Sequence, residues 1–349
     1  MISLKKEIYN TTYLHPRKNF EKTDVYAEMR YDPLTGHRVR IYDIEWKTRK
    51  VDFYTLGEKS KDRCPFCEGV LEKMAARFPE DFTKEGHFKK GEGTLIPNIL
   101  PYAENAAVVV LTKSHIVPMG KMEEKIIYDG ISLILDYSKA VSKYKKKDYN
   151  FAHLHWNYMP TSGGSLIHPH MQVYVTDTAL NYHNRVLEKA KDFKNKTGYE
   201  FFSQYIKKEE AEKERFVTKK GRCVLIAPFA SRGMLGEFLI IIEDSYNFKD
   251  ITDDDIRDIT VLIKKLMLFF EKKDISGFNL ALFSSPLHQN VILNHIRIYP
   301  RVYRDVEVFA TDIETPTLLY GESFCLISPE KNARELRAFL EATNDNRET

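Results

Sequence analysis

The chain has 349 residues, of which 43% are hydrophobic and 30% are charged, so it can bury a large core as two domains or as one duplicated domain. Its formal net charge of +3 excludes the strong positive field that would predict a nucleic-acid partner. The N-terminal segment lacks the apolar core of a signal peptide, no stretch has the ~20 apolar residues of a membrane span, and four cysteines are too few for a disulfide framework, so we expect a cytoplasmic protein with no membrane partner.

The first sixty residues are basic and rich in turn-forming residues. The run Asp32-Pro33-Leu34-Thr35-Gly36 is typical of a turn between extended segments near Arg30 and over residues 39–42. This region is predicted to form an arm that contains a hairpin.

Two later regions show the same order of predicted elements. In the first, a strand, a helix and two further strands are predicted over residues 107–111, 122–144, 151–156 and 171–175. In the second, the same four elements are predicted over residues 238–242, 252–273, 278–283 and 295–299. The chain is therefore predicted to contain an internal duplication, with residues 187–220 as a connector of solvated helices.

The motif Gly163-Gly164-Ser165-Leu166-Ile167-His168-Pro169-His170-Met171-Gln172 is the most informative feature of the first region. It predicts a glycine-bearing loop that leads into a strand, with the side chains of His168 and His170 on one face. The glycines let the backbone approach a phosphate, and Ser165 and Gln172 provide hydrogen-bond donors for phosphoryl oxygens.

A histidine beside such a loop can attack an α-phosphorus, hold a nucleotide covalently and transfer it to a second acceptor. His170 is suited to this role because an imidazole with a pKa near ~6.5 is largely neutral at cytoplasmic pH. Donors from Gln172 and Ser165 would stabilise the charge that develops on the phosphoryl oxygens. Packing alone does not explain a His-Pro-His sequence after Gly-Gly-Ser, so we favour catalysis.

Cys64-Pro65-Phe66-Cys67 and His115 are candidate zinc ligands. One of His153, His155 and His168 would complete a tetrahedral set, and the spacing does not decide among them. A redox pair is the alternative, but no strand-to-helix pattern of the thioredoxin kind surrounds Cys64. We therefore favour structural zinc.

These motifs together resemble galactose-1-phosphate uridylyltransferases, members of the HIT superfamily. The similarity is carried in the family's order by residues 30–36, Cys64, Cys67, Pro97-Asn98, His115, Asn157, residues 165–174, residues 295–301 and residues 329–337. It implies an α+β fold of two tandem HIT-like repeats, each an antiparallel sheet with a packed helix. We expect residues 1–190 to form the N-terminal repeat with the zinc site and His-Pro-His motif, and residues 191–349 to form the C-terminal repeat.

The resemblance also implies the roles of individual residues. It makes His170 the nucleotidylated nucleophile and Gln172 the hydrogen-bond partner of the phosphoryl group, and it makes Asn157 and Ser165 phosphate contacts. Arg30 would be a further phosphate contact, one that reaches the partner subunit's site in the homodimer typical of the family.

The same resemblance implies that zinc is bound by Cys64, Cys67, His115 and His168. Two departures concern the second repeat, where Phe283 and Arg297 stand at positions at which the family often has metal-binding histidines. A second metal is therefore not expected. Residues 314–320 also differ from the family's usual sugar-binding sequence.

Three functions follow from these features. The first is a ping-pong transfer of UMP from UDP-glucose to a hexose 1-phosphate such as galactose 1-phosphate, through nucleotidyl-His170. The second is an ADP-sugar or dinucleoside-polyphosphate phosphorylase that uses the same histidine. The third is a non-catalytic nucleotide-binding regulatory protein, suggested by Phe283 and Arg297. In the first two, nucleotide-sugars and sugar phosphates are the small-molecule partners.

Overall fold

The structure is a computed structural model that describes residues 2–44 and 46–345. The strands in chain order are β1 (Lys6–His15), β2 (Glu21–Tyr31), β3 (Arg38–Ile41), β4 (Phe88–Lys90), β5 (Gly93–Pro97), β6 (Ala106–Val110), β7 (Phe151–Tyr158), β8 (His170–Thr176), β9 (Phe216–Lys220), β10 (Cys223–Ile226), β11 (Phe238–Ile242), β12 (Gly277–Phe283), β13 (His295–Arg301), β14 (Tyr303–Asp305), β15 (Ala310–Thr311) and β16 (Ser323–Cys325). The helices are α1 (Phe53–Lys61), α2 (Leu71–Met74), α3 (Glu124–Lys145), α4 (Asn181–Thr197), α5 (Phe201–Glu212), α6 (Asp253–Lys272), α7 (Thr315–Leu319) and α8 (Pro329–Asp345). Within the described residues, no helix is both long enough and apolar enough to cross a membrane.

A ten-stranded sheet in the order β4-β5-β6-β8-β7-β12-β13-β11-β10-β9 forms the centre of the molecule. Neighbouring strands are antiparallel. The two predicted repeats are present as β6-α3-β7-β8 and β11-α6-β12-β13. They join edge to edge because β7 pairs with β12, with Asn157 opposite Asn279. The predicted α+β class with two antiparallel, helix-packed repeats is confirmed.

One face of this sheet packs against α3 and α6. The helix α6 begins with a capping box in which the side chains of Thr252 and Asp255 each accept a hydrogen bond from the other residue's backbone N–H. Apolar residues then recur every three or four positions, and those facing the sheet, such as Ile259, Leu262 and Leu266, are buried in the main core. Each such buried side chain contributes about 1.5–3 kcal/mol relative to an exposed one.

On the opposite face, α4 and α5 cover the second half of the sheet and the start of β7. Apolar residues of α4 and α5, including Leu187 and Phe202, pack there against Leu239 and Ile241 of β11. The prediction of a solvated connector is therefore correct only for the outer side of these helices. Even within its charged run, Glu209 has no exposed surface.

The N-terminal arm forms a second sheet in the order β1-β2-β3-β16. The predicted turn between β2 and β3 is present, because Asp32 Oδ1 accepts the backbone N–H groups of Leu34 and Thr35, and Gly36 has a φ of 69°. Near the C-terminus, β16 pairs in parallel with β3. The division of the chain at residue 190 remains a prediction, and residues 346–349 of the predicted second repeat lie outside the described residues.

Candidate active site and metal centre

His170 is the first residue of β8, which pairs with both β6 and β7. Along β8 the side chains alternate, so Met171 and Val173 point into the core on the α3 side. His170 and Gln172 therefore lie on the opposite face. Beside His170 that face is lined by Phe66 and not by α4 or α5.

The ring of His170 is held in one tautomer. Its Nδ1 lies 2.7 Å from the carbonyl oxygen of His168, and because a carbonyl only accepts, Nδ1 carries the proton. Burial lowers the pKa of His170, although the bond to His168 opposes this effect. The imidazole is therefore neutral at pH 7, with an unprotonated Nε2 that contacts no hydrogen-bond partner among the described residues.

The site wall beside His170 includes an aromatic side chain from the cysteine motif. Phe66 packs edge-on to the His170 ring, with a centroid distance of 5.4 Å, and also contacts His168. The His170 side chain is 6% exposed. The Cys64-to-Cys67 segment thus restricts the ring's movement and its access to water.

Gln172 contacts a histidine on the neighbouring strand. His155 lies directly opposite Gln172 in the β7–β8 pair, and its Nε2 is 3.3 Å from Gln172 Oε1. Burial lowers the pKa of His155, so the ring is neutral. The Nδ1 of His155 lies 3.2 Å from the backbone oxygen of His153, which only accepts, so Nδ1 carries the proton of the neutral ring and Nε2 is an acceptor. Once its oxygen and nitrogen exchange places by rotation about the last side-chain bond, the Gln172 amide donates one N–H to His155 Nε2 and keeps the second N–H for a phosphoryl oxygen.

Asn157 and the glycine-bearing loop lie next to each other. A Cβ built on Gly164 would be 3.4 Å from the backbone oxygen of Asn157, so the loop passes closely over β7. Gly163 has a φ of 85°, a left-handed conformation that a glycine adopts without strain. Ser165, the next polar residue of the loop, is exposed.

Cys64, Cys67, His115 and His168 come together beside this strand. Their four ligand atoms all lie within 4.8 Å of one another. The Sγ-to-Nδ1 distances are 3.6 Å for Cys64 to His168, 3.4 Å for Cys67 to His115 and 3.9 Å for Cys67 to His168. Tetrahedral zinc with its usual bond lengths would separate a sulfur and a nitrogen ligand by about 3.6 Å. The group fits a zinc ion.

The two histidines also have the tautomer that a metal requires. His168 Nε2 donates to the carbonyl oxygen of Thr112 at 2.7 Å, and His115 Nε2 donates to that of Gly57 at 3.1 Å. The Nδ1 lone pairs of both rings therefore face the cysteine sulfurs. Burial and the neighbouring Cys64 raise the pKa of Cys67 to about 11, so a bound cation would be needed to keep the Cys67 thiol ionised.

Arg30 lies in a different part of the structure. Its guanidinium binds Glu28 and Glu330 and lies over the ring of Phe229. These residues belong neither to β7 nor to β8. Arg30 lines a cavity of about 1030 Å³, and a second cavity of about 860 Å³ lies near Phe53 and Met119; His170 lines neither of them.

Four residues of the site were not selected from the sequence: Phe66, His155, Asn279 and Arg301. Phe66 had a usable signal, since it lies inside the cysteine motif. His155 was considered only as a metal ligand. Asn279 contacts Asn157 through pairing between the two repeats, and Arg301 contacts Asn279 through pairing within the second repeat; no local pattern reveals either contact.

Two proteins are similar to this chain in sequence. An uncharacterised protein of Archaeoglobus fulgidus is 29% identical over 312 residues, which are 89% of this chain and 92% of that protein. A galactose-1-phosphate uridylyltransferase of Haemophilus influenzae is 26% identical over 201 residues, 55% of this chain and 56% of the enzyme. No protein-family model matches the chain.

Solved structures show the same fold over most of the chain. An ADP-glucose phosphorylase from Arabidopsis thaliana with bound ADP-glucose has a TM-score of 0.66 at 20% identity, over 89% of this chain and 98% of that one. A uridylyltransferase has a TM-score of 0.65 at 19% identity, over 90% and 99% of the two chains. The predicted resemblance to galactose-1-phosphate uridylyltransferases is confirmed, and the chain has their fold.

Proposed function

We propose that the protein is a nucleotidyltransferase that carries a nucleoside monophosphate on His170 between two substrates. The observation that carries this proposal is the fixed tautomer of His170, whose Nδ1 donates to the His168 carbonyl and whose Nε2 keeps its lone pair. Hydrogen-bond donors around His170 Nε2 come from the loop over residues 163–165, from Gln172 and from Asn157. The sequence similarity to the Haemophilus influenzae enzyme also supports the proposal.

In the first half-reaction, His170 Nε2 attacks the α-phosphorus of a nucleotide-sugar. A phosphorus–nitrogen bond forms, the bond to the bridging oxygen breaks, and the sugar 1-phosphate leaves with that oxygen and its electron pair. The ring then carries a positive charge, which the Nδ1–H group shares with the His168 carbonyl. In the second half-reaction, a phosphate oxygen of the acceptor attacks the same phosphorus and the bond to Nε2 breaks.

The phosphoryl oxygens need donors when charge accumulates on them in the transition state. Gln172 is suited to donate because one N–H of its amide is held by His155 Nε2 and the second stays free, and Ser165 offers a hydroxyl from the loop. Gln172 lies on the strand face that carries His170 and is held there by His155. It therefore stabilises the transition state without reorganisation of the site.

The metal centre has a structural part in this proposal. Zinc, when bound, would link Cys64 and Cys67 to His115 and His168 and supply no reacting group. His168 is then anchored through its side chain, while its backbone oxygen orients His170. The metal-binding residues thus fix the carbonyl that sets the nucleophile's tautomer.

We propose UDP-glucose as the donor and galactose 1-phosphate as the acceptor. An ADP-sugar phosphorylase is the second candidate, favoured by the similar fold of the Arabidopsis thaliana ADP-glucose phosphorylase. The homodimer, the contact of Arg30 with substrate phosphate and the cytoplasmic location remain predictions.

The candidates separate in one labelling experiment. The protein is incubated with UDP-glucose or ADP-glucose labelled in the α-phosphate, quenched, and tested for acid-labile label on the chain. Label from UDP-glucose that galactose 1-phosphate discharges supports the first candidate, and label from ADP-glucose that inorganic phosphate discharges supports the second. Absence of label from both donors would support the non-catalytic nucleotide-binding protein instead.

A further inference from the structure

Arg301, in the second repeat, holds an asparagine side chain in one orientation. Its Nε lies 2.9 and 2.8 Å from the two carboxylate oxygens of Asp312, and its NH1 lies 2.5 Å from Asn279 Oδ1. A guanidinium donates hydrogen bonds and accepts none. The group of Asn279 that faces Arg301 is therefore the amide oxygen, and its NH₂ group must point the other way.

The NH₂ group of Asn279 contacts the first repeat. It donates to Asn157 Oδ1 at 2.6 Å and to the backbone oxygen of Ser162 at 2.9 Å, so both hydrogens are used. Asn157 therefore presents its oxygen to Asn279. The NH₂ group of Asn157 is left without a partner among the described residues and points away from Asn279.

The register of the sheet places this free donor beside the nucleophile. His155 lies opposite Gln172, the last pair of the β7–β8 register, and continuing that register by two residues would set Asn157 opposite His170. Residues two apart on a strand share a face, so Asn157 lies on the face of His155, Gln172 and His170. Ser162, the second acceptor of Asn279, precedes the glycine-bearing loop.

We propose that Arg301 and Asn279 are positioning residues that turn the amide of Asn157 so that its N–H donors face the diphosphate of the bound nucleotide. The second repeat thus contributes to the site of the first repeat without touching the substrate. The role rests on the proposed function, because it requires a nucleotide diphosphate beside His170. The reversed amide would turn a carbonyl oxygen toward phosphoryl oxygens, which repel it.

The isosteric variant Asn279→Asp tests this role. Its carboxylate still accepts from Arg301, but it has no hydrogen to donate, so Asn157 must rotate and donate to it. We expect kcat/KM for nucleotidylation to fall by ~10-fold or more, the loss typical of a hydrogen bond to a charged group. Asn290→Asp adds the same charge at an exposed position and serves as the matched control. Thermal unfolding of each variant shows that it is folded.

A double-mutant cycle separates positioning from a general structural effect. In an Asn157→Ala background, Asn279→Asp should change kcat/KM by less than about twofold, because the amide that it misorients is gone. Asn279→Ala provides the same comparison if the aspartate variant does not fold. Equal losses in both backgrounds, or no loss in the wild-type background, would overturn the role of Asn279 while leaving labelling of His170 intact. Absence of label on the wild-type protein would overturn both proposals.

Discussion

The two repeats place a histidine at the same point of their last strand, and the two histidines have different surroundings. His170 begins β8 and His295 begins β13, and each donates from Nδ1 to the carbonyl two residues earlier, at 2.7 and 2.9 Å. Around His295, however, Phe202 packs at a centroid distance of 4.1 Å and Phe283 stacks at 5.2 Å. His295 has no exposed surface, and its Nε2 is buried with no hydrogen-bond partner in the part of the chain that the structure describes.

The residue two positions later also differs. Gln172 of the first repeat corresponds to Arg297 of the second, which is buried and paired with Glu237 at 2.5 Å. Burial lowers the pKa of His295 well below its usual range, and the charge of Arg297 adds to this effect. The comparison teaches that the backbone geometry of the strand is not sufficient for a nucleophile. The Nε2 atom must also remain accessible and have neutral donors beside it, whereas Phe202 of α5 covers the ring in the second half.

The largest expected effect distinguishes the two histidines. His170→Asn should reduce covalent nucleotidylation by at least ~10³-fold, because it removes the attacking lone pair. His295→Asn should leave labelling per folded molecule within about twofold of wild type, since Phe202 and Phe283 exclude substrate from that ring. Quenched-flow labelling with the same donor measures both. Equal losses in the two variants would remove the distinction between the repeats.

The next largest effect concerns Gln172 and Arg297, the residues two positions after these histidines. Gln172→Ala should slow nucleotidylation by ~10²-fold, as expected for loss of one preorganised donor to a charged transition state. Arg297→Met should lower thermal stability, because Glu237 loses its partner in a buried site. Near-normal turnover of Gln172→Ala would contradict the role given to this amide.

The metal centre lies in the first repeat, so its loss should affect stability there. Cys64→Ser, or removal of zinc by a chelator, should lower Tm by about 5 °C or more while nucleotidylation per folded molecule changes less. Cys325→Ser, at a buried cysteine outside the group, should keep the chelator response. Metal analysis of freshly purified protein should find about one zinc per chain. A chain free of zinc whose Tm does not respond to a chelator would contradict this structural role.

The smallest expected effect concerns the N-termini of α6 and α3, the two helices that pack against the central sheet. Asp255 is buried, which disfavours its ionisation, but hydrogen bonds from Arg222 and Thr252 outweigh this and lower its pKa. Because the folded-state pKa is depressed, the stabilisation is present above the unfolded value near ~3.9 and is lost as the pH falls through the folded value. Asp255→Asn should therefore cost about 1–2 kcal/mol in the free energy of unfolding at pH 7 and less near pH 3.

The start of α3 provides the control for that prediction. Glu123, at the N-cap of α3, makes no capping bond with its side chain. Glu123→Gln should therefore leave the free energy of unfolding nearly unchanged at both pH values. Denaturant titrations at pH 7 and pH 3 measure the free energy of unfolding of each variant. An effect of Asp255→Asn that does not depend on pH would contradict the claim that ionised Asp255 stabilises the start of α6.

Local periodicity was sufficient to predict the elements of both repeats. The strand over residues 238–242 has the predicted bounds, and the other elements begin or end within a few residues of them. This succeeded because one face of each element packs into a continuous core, which imposes a regular apolar pattern. The structure also brings His168 to Cys64 and Cys67, although spacing alone had left His153 and His155 as alternatives.

The parts that were missed depend on which strands become neighbours. Pairing of β7 with β12 brings Asn279 to Asn157, and pairing of β12 with β13 brings Arg301 to Asn279. The first contact joins residues more than a hundred positions apart, and the second depends on the register of two strands. Neither contact leaves a signal in the sequence around these residues. The covering of His295 by Phe202 similarly results from how α5 packs and not from the sequence around His295.

The most direct test is to locate the covalent adduct on the wild-type chain. After incubation with a labelled nucleotide-sugar, the protein is digested under conditions that preserve phosphorus–nitrogen bonds, and the peptides are examined by mass spectrometry. The account predicts a nucleoside monophosphate on the peptide that contains His170 and none on the peptide that contains His295. An adduct on any other residue, or an unmodified His170 in a protein that turns over its substrate, would contradict it.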